Sequence, residues 1–254
     1  MKSLWKGQIF MTEKCFEERF RDVEENYKVI TNRIAEAAVR SGRKPEDVTF
    51  LAATKTVPAE VINHAIGCGL RFIGENRVQE FMDKYEKIDW DKGVSGQIIG
   101  RLQTNKVKYI APYISMVEAV DTPKLLREIN KQAAKHDRVI DVLLELHIAE
   151  EETKYGLTLE ACRELLEAGE WREMKNVHIS GLMMMASNVE DEDQIRHEML
   201  TAADFFDEVK ARYFADDPRF CVRSWGMSHD YQIAVTCRSN QVRVGTAIFG
   251  PRVY

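Results

Sequence analysis

The sequence predicts a closed barrel of eight parallel β-strands, each followed by a helix. Eight short, apolar, strand-like runs alternate with helical patterns along the 254 residues, and strands that alternate with helices form parallel sheets. Eight such units in about 250 residues are what a (β/α)8 barrel needs. The alternative is an open, doubly wound sheet, but no Gly-x-Gly-x-x-Gly follows the first predicted strand. We therefore expect the barrel.

A long helix precedes the first predicted strand. Apolar residues recur at steps of three and four within Glu13–Arg40, and Ser41-Gly42 ends the pattern. These residues are Phe16, Phe20, Val23, Tyr27, Ile30, Ile34 and Ala38. Because such a stripe must be buried, we expect this extra helix to cover one end or one flank of the barrel.

The remaining elements follow from the same periodicity. The predicted strands are Val48–Ala53, Leu70–Ile73, Gln97–Ile99, Met116–Val120, Val139–His147, Val177–Met184, Phe220–Trp225 and Gln241–Val244. The predicted helices are Pro58–Gly67, Arg77–Ile88, Thr122–Lys135, Thr158–Ala168, Glu190–Phe214 and His229–Arg238. Pro58 and Pro123 stand at or near a first helical position, where the missing N–H of proline does no harm.

Composition excludes several classes of protein. The net charge of −5 argues against nucleic acid or an anionic membrane as the main partner. No apolar run approaches the roughly 18 residues of a membrane helix, and Met1–Thr12 lacks the apolar region of a signal peptide. The five cysteines are scattered and never form Cys-x-x-Cys, which is typical of reduced thiols in a cytoplasmic protein.

No linker divides the chain. Low-complexity tracts are absent, so we expect a single domain over residues 1–254, with residues 1–12 as a flexible N-terminal extension. No spacing of His, Asp or Glu suggests a metal site.

A lysine stands at the carboxyl end of the first predicted strand. Phe50–Thr56 reads FLAATKT, an apolar run that closes with Lys55. Burial disfavours the ammonium form and lowers a lysine pKa, and a neutral amine attacks aldehydes. The functional interpretation is a Schiff-base lysine. The alternative is a lysine that extends to solvent or pairs with a carboxylate, and Lys55 taken alone favours that alternative.

Small and polar residues follow the last two predicted strands. Gly226, Ser228, Gly245 and Thr246 stand where a barrel of this kind commonly binds phosphate through backbone N–H groups. The alternative is that the glycines are simple turn residues. Together with Lys55, these loops predict a phosphorylated aldehyde as ligand. Pyridoxal phosphate fits, and so does the sugar-phosphate substrate of an aldolase.

Seven short motifs in one order carry a resemblance. They are LAATKT around Lys55, FIGENRVQE at Phe72–Glu80, IGRLQTNK at Ile99–Lys106, KYG at Lys154–Gly156, ISGLMMM at Ile179–Met185, GMS at Gly226–Ser228 and VRVGTAIFG at Val242–Gly250. Through them the chain resembles, from about Glu13 to its end, the pyridoxal-phosphate homeostasis proteins. Those proteins are related to the N-terminal barrel domain of alanine racemase.

The resemblance implies roles around the reactive end and the ring of the cofactor. Lys55 would form the internal aldimine with the aldehyde, Asn76 would lie beside the bound ring, and Arg243 would meet the pyridine nitrogen. The chain departs from the family at two positions. Gln97 stands where the family often has histidine, and Trp225 replaces a more usual aliphatic residue, which we expect only to repack the strand.

The resemblance also implies a phosphate site. Ser228, Gly245 and Thr246 would hold the phosphate, with help from Met227 and Ser224.

The implied function is to bind pyridoxal 5'-phosphate and to store, buffer or deliver it, with apo-enzymes as recipients and little or no catalysis. An amino-acid racemase is the alternative, and a Schiff-base aldolase is a third hypothesis. A related racemase needs a second, all-β domain with a catalytic tyrosine. Because the sequence ends at Tyr254, we expect no such domain and negligible racemase activity. We expect a monomer or a weak dimer.

Overall fold

The computed structural model describes residues 13–148 and 155–251, and its eight strands form a closed barrel in sequence order. Every neighbouring pair is parallel, and β1 pairs with β8 to close the ring. The predicted barrel is confirmed. The strands are β1 Thr49–Ala53, β2 Phe72–Glu75, β3 Ser95–Ile98, β4 Met116–Val120, β5 Ile140–Leu146, β6 Val177–Met184, β7 Val222–Ser224 and β8 Gln241–Val244.

Helices lie between the strands, and the predicted order of elements is confirmed. Within the described ranges they are α1 Glu13–Arg40, α2 Ala59–Gly67, α3 Val78–Tyr85, α4 Val107–Ile110, α5 Pro123–Ala134, α6 Leu159–Ala168, α7 Glu192–Tyr213, α8 Tyr231–Thr236 and α9 Thr246–Phe249. The short helices α4 and α9 were not predicted, because four residues are too few to show a period.

Helix α1 covers a flank of the barrel, as predicted. Val23, Ile30 and Ile34 are buried in one cluster with residues of β1, β8, α2 and α9. The Asn26 side chain donates a hydrogen bond to the Ile248 carbonyl at 3.1 Å. The helix is therefore tied to α9, directly after the last strand.

Strand side chains divide between two cores. In β5, Val142 and Leu144 pack against the surrounding helices, whereas Leu143 belongs to a small cluster inside the barrel. This follows from the alternation of side chains along a strand. Trp225 belongs to the outer core, where it is fully buried and donates to the Cys237 carbonyl at 3.1 Å.

A polar network closes the end of the barrel where β5 and β6 begin. His178 lies 2.8 Å from the Ser180 hydroxyl and 2.8 Å from the Asp217 carboxylate, and Ser180 donates to Asp141. Hydrogen bonding to Asp141, together with Asp217, raises the pKa of His178. This end lies opposite the carboxyl ends of the strands, where polar groups of a barrel serve stability rather than chemistry.

Two sequence predictions fall outside the described residues. They concern the extension at residues 1–12 and Lys154 of the KYG motif. Over the described ranges, no helix combines the length and the apolar character needed to cross a membrane.

Candidate functional site

A cleft opens at the carboxyl ends of β1 and β8, which are neighbours in the barrel. It is open to solvent. Lys55, Gly245 and Thr246 line it together, and Arg19 of α1 joins them. The fold thus brings three of the predicted residues, taken from opposite ends of the sequence, into one cleft.

Lys55 lies just beyond the carboxyl end of β1, and that strand ends at Ala53, the predicted last residue. Lys55 stands in the turn that leads to α2. The ladder between β1 and β2 stops at the pair Ala53 and Gly74. The Lys55 side chain is half-buried, whereas Thr54 before it is fully buried.

The Ser228 hydroxyl braces the start of α9. It accepts hydrogen bonds from the backbone N–H groups of Gly245 at 3.1 Å and Ala247 at 3.3 Å. A serine hydroxyl has two acceptor sites and one hydrogen. With both acceptor sites used, the hydrogen of Ser228 is what the hydroxyl has left to offer to a ligand.

Gly245 allows the loops after β1 and β8 to lie close together. A Cβ atom there would lie 3.2 Å from the Ala53 carbonyl oxygen and 3.3 Å from the Ala53 Cβ. Gly226 has a φ of +100°, and a Cβ there would lie 2.5 Å from the Ala234 side chain. Both positions therefore favour glycine, and at Gly245 a longer side chain would fill the cleft.

Met227 and Ser224, predicted to help with the phosphate, do not line the cleft with Lys55. The Met227 N–H donates to the Asp230 carboxylate at 2.5 Å. The Ser224 hydroxyl donates to Glu118 at 2.5 Å inside the barrel. Hydrogen bonds within the protein thus engage both groups.

Arg243 of β8 is buried in the barrel, two residues before Gly245. Its guanidinium donates to the Ser224 carbonyl at 2.7 Å and to the Met184 carbonyl at 2.9 Å. It also lies 3.4 Å from Glu118. These bonds hold the guanidinium in one orientation. Burial raises the pKa of Glu118, and Arg243 opposes that rise.

Glu145, near the end of β5, was not predicted. Only 3% of it is exposed, and its Oε2 has no hydrogen-bond partner in the described part of the chain. Burial raises the pKa of Glu145 to about 7, Asp121 adds to the rise, and Arg243 and Arg101 oppose it. The sequence showed only a glutamate in an apolar strand, with no sign that it faces Arg243.

Asn76 lines a second, wider cleft. It lies there with Arg77, Arg101 and Lys106, in the loops that follow β2 and β3. The Arg101 guanidinium stacks on the Tyr155 ring, 3.8 Å from its centre. The structure thus places Asn76 in a different cleft from Lys55.

Gln97, at the position where the family often has histidine, is buried in β3. Its Oε1 has no hydrogen-bond partner among the residues that the structure describes.

Arg19 was also missed by the sequence analysis. It lies half-buried at the cleft, between Phe16 and Val23 of the apolar stripe. A cation placed within an apolar stripe was the available signal.

One group of potential metal ligands exists within the described ranges, away from the cleft. Glu24, His64 and Cys68 offer ligand atoms that all lie within 4.8 Å of one another. The His64 imidazole lies 2.9 Å from the Glu24 carboxylate and stacks on Phe20. Contact between α1 and α2 accounts for this arrangement.

Comparison with known proteins agrees with this geometry. Residues 26–253 match the model of the alanine racemase N-terminal domain. The chain is 40% identical to the pyridoxal phosphate homeostasis protein of Aquifex aeolicus, over 89% of this chain and 96% of that protein. It is 34% identical to the protein of that name from Escherichia coli K12, over 92% and 98% of the two chains. The chain belongs to the pyridoxal phosphate homeostasis family.

Solved structures extend the comparison. A protein of unknown function from Bifidobacterium adolescentis is 31% identical, with a TM-score of 0.84 over 92% of this chain and 96% of that chain. PipY of Synechococcus elongatus, solved with pyridoxal phosphate bound, is 27% identical, with a TM-score of 0.74 over 87% and 100%. The alanine racemase of Bartonella henselae is 11% identical to this chain, with a TM-score of 0.66, and shares its fold.

Proposed function

We propose that this protein binds pyridoxal 5'-phosphate in the cleft between β1 and β8, with Lys55 as its Schiff-base lysine. One observation carries the proposal. A lysine lines the same cleft as Gly245 and Thr246, and the Ser228 hydroxyl braces the loop that carries them. The shared name of the relatives and the PipY structure with pyridoxal phosphate support the same ligand.

The residues present suit the phosphate group. The Ser228 hydroxyl has a hydrogen to donate, Gly245 leaves space beside the loop of Lys55, and Arg19 adds a positive charge. Hydrogen bonds to an anion are stronger than those between neutral groups. Phosphate binding would therefore anchor the ligand in this cleft.

Lys55 supplies the covalent attachment. Its amine is the group that would condense with the aldehyde, with the carbonyl oxygen lost as water. When bound, the cofactor supplies an aldehyde and a ring that can withdraw electrons. Asn76 follows β2, which pairs with β1, so it would lie beside a ring that extends from Lys55 toward the second cleft. Arg243 would face the pyridine nitrogen.

We further propose that the protein holds the cofactor for homeostasis and passes it to apo-enzymes, with little catalysis of its own. Arginine is a permanently charged donor and cannot accept a proton from the pyridine nitrogen. An unprotonated ring withdraws electrons weakly, so carbanions would be poorly stabilised. A site of this kind retains a reactive aldehyde without using it.

The test is reductive trapping. Purified protein is incubated with pyridoxal 5'-phosphate, reduced with borohydride and mapped by peptide mass spectrometry. We expect the label on Lys55, none there in Lys55→Ala, and full labelling in Lys124→Ala, which removes an exposed lysine of α5. Label on a different lysine, or labelling that persists in Lys55→Ala, would refute the proposed site.

A further inference from the structure

The turn that carries Lys55 is held from outside the barrel by helix α3. The Lys84 ammonium donates to the carbonyl oxygen of Thr54 at 2.8 Å, directly before Lys55. The Glu80 carboxylate accepts a hydrogen bond from the backbone N–H of Thr56, directly after Lys55. Helix α3 therefore binds the peptide groups on both sides of Lys55. Neither Glu80 nor Lys84 lines the cleft that Lys55 lines.

Lys84 and Glu80 form one unit with Glu75. The Lys84 ammonium also lies 2.7 Å from Glu80 and 2.8 Å from Glu75. The Thr54 hydroxyl donates to the same Glu75 oxygen at 2.8 Å. Glu75 is buried, and burial raises its pKa while the charge of Lys84 opposes the rise. All three hydrogens of the Lys84 ammonium thus have acceptors.

The backbone at Thr56 shows why such support is needed. Its φ is +63°, in the left-handed region. A β-branched residue rarely adopts that conformation, which persists only where the surroundings impose it. The bond from the Thr56 N–H to Glu80 is one such constraint, and it fixes the direction in which the chain leaves Lys55.

We propose that Glu80 and Lys84 are positioning residues that hold the Lys55 amine in the orientation for attack on the aldehyde. The proposal rests on the proposed function of Lys55. The pair acts through the backbone of the turn and touches no ligand. Glu80 is the last residue of the motif FIGENRVQE, and Lys84 follows it by one helical turn.

Two ligands separate positioning from general support. Pyridoxal 5'-phosphate has the aldehyde, whereas pyridoxine 5'-phosphate carries an alcohol at that position and cannot form a Schiff base with an amine. Both would use the same phosphate loop. If Lys55 loses its orientation, only the binding of the aldehyde should weaken. If the cleft is damaged, the binding of both ligands should weaken.

The experiment measures the affinity of both ligands for the intact protein and its variants. We expect Glu80→Ala to lower the affinity for pyridoxal 5'-phosphate about tenfold, the effect of one lost hydrogen bond to a charged group. The affinity for pyridoxine 5'-phosphate should stay unchanged. Glu80→Gln keeps an acceptor for the Thr56 N–H and should restore most of the loss. Glu86→Ala, an exposed residue just beyond α3, is the matched control and should match the unmodified protein.

Lys84→Met gives an independent measurement with the same expected pattern. Equal losses for both ligands, or an unchanged affinity for the aldehyde in both Glu80→Ala and Lys84→Met, would overturn the positioning role. If the unmodified protein binds neither ligand, the proposed function itself fails, and this result is distinct from the first two.

Discussion

Nη1 of Arg243 lies 3.4 Å from Oε2 of Glu118, and both side chains are buried inside the barrel. Ser224 and Gln241 also donate to the same carboxylate. Removing one partner of a buried ion pair leaves a buried charge without compensation. We expect Glu118→Ala to lower the free energy of unfolding by about 3–5 kcal/mol, and Glu118→Gln to lower it less. Urea unfolding would measure both, and a loss below about 1 kcal/mol in Glu118→Ala would contradict this account.

The proposed phosphate site can be tested at Gly245. Gly245→Glu places a carboxylate beside the proposed phosphate, so the affinity for pyridoxal 5'-phosphate should fall by more than about tenfold. Gly67→Glu, at an exposed glycine with open space around it, is the control. Titration by absorbance would measure both. If pyridoxal without the phosphate binds as tightly as the ester, the proposed phosphate site is wrong.

Arg19 offers a separate test of the same cleft. Loss of its charge should weaken the binding of pyridoxal 5'-phosphate by up to about fivefold, the upper limit for one partly exposed charge near an anion. The loss should shrink at high salt, because salt screens exposed charges. Arg21→Ala removes an exposed arginine from the same helix and should have no effect. Equal affinities for Arg19→Ala and Arg21→Ala would exclude a contribution from Arg19.

Glu145 predicts a dependence of stability on pH. Its pKa rises from 4.5 in the unfolded chain to about 7 in the folded protein. The folded state therefore binds this proton more tightly, so the contribution of Glu145 is fully present below about pH 4.5 and lost as the pH rises through 7. The loss amounts to at most about 3.5 kcal/mol.

Replacing Glu145 with glutamine should remove this dependence. Glu145→Gln should be more stable than the unmodified protein at pH 8, with a smaller difference at pH 5. Denaturant unfolding at several pH values would measure it, with Glu164→Gln, an exposed position of α6, as the control. A difference between Glu145→Gln and the unmodified protein that stays constant from pH 5 to 8 would contradict the prediction.

The proposed contact of Arg243 with the pyridine nitrogen predicts weak catalysis. Protein loaded with pyridoxal 5'-phosphate and incubated with L-alanine in deuterated water should exchange the α-hydrogen very slowly, because the unprotonated ring stabilises a carbanion poorly. Proton NMR would follow the exchange. Rapid exchange that disappears in Lys55→Ala would show an enzyme instead of a carrier.

Much of the fold could be predicted because hydrophobic periodicity is local. Met116–Val120, Val177–Met184 and Gln241–Val244 have the predicted strand bounds. The conformation of the turn after Lys55 could not be predicted, since the left-handed backbone of Thr56 depends on its contact with α3. Arg19 was missed for a related reason, because its place at the cleft depends on how α1 packs.

Glu80 and Lys84 were even harder to predict. In the sequence they are an ordinary helical pair four residues apart, typical of an exposed helix surface. Only the packing of α3 beside the turn of Lys55 makes them neighbours of Thr54 and Thr56. Periodicity identifies the buried face of a helix, but not the backbone atoms to which its charged side chains bind.

The pairing of β1 with β8 has a consequence for the newly made protein. Lys55 follows the first strand and Gly245 follows the last, so the cleft is assembled only when the barrel closes. A ribosome must therefore synthesise everything from Lys55 to Gly245 before these two residues can meet. Contacts between segments so far apart in the sequence form slowly. Binding of a ligand by both loops would therefore follow closure of the barrel.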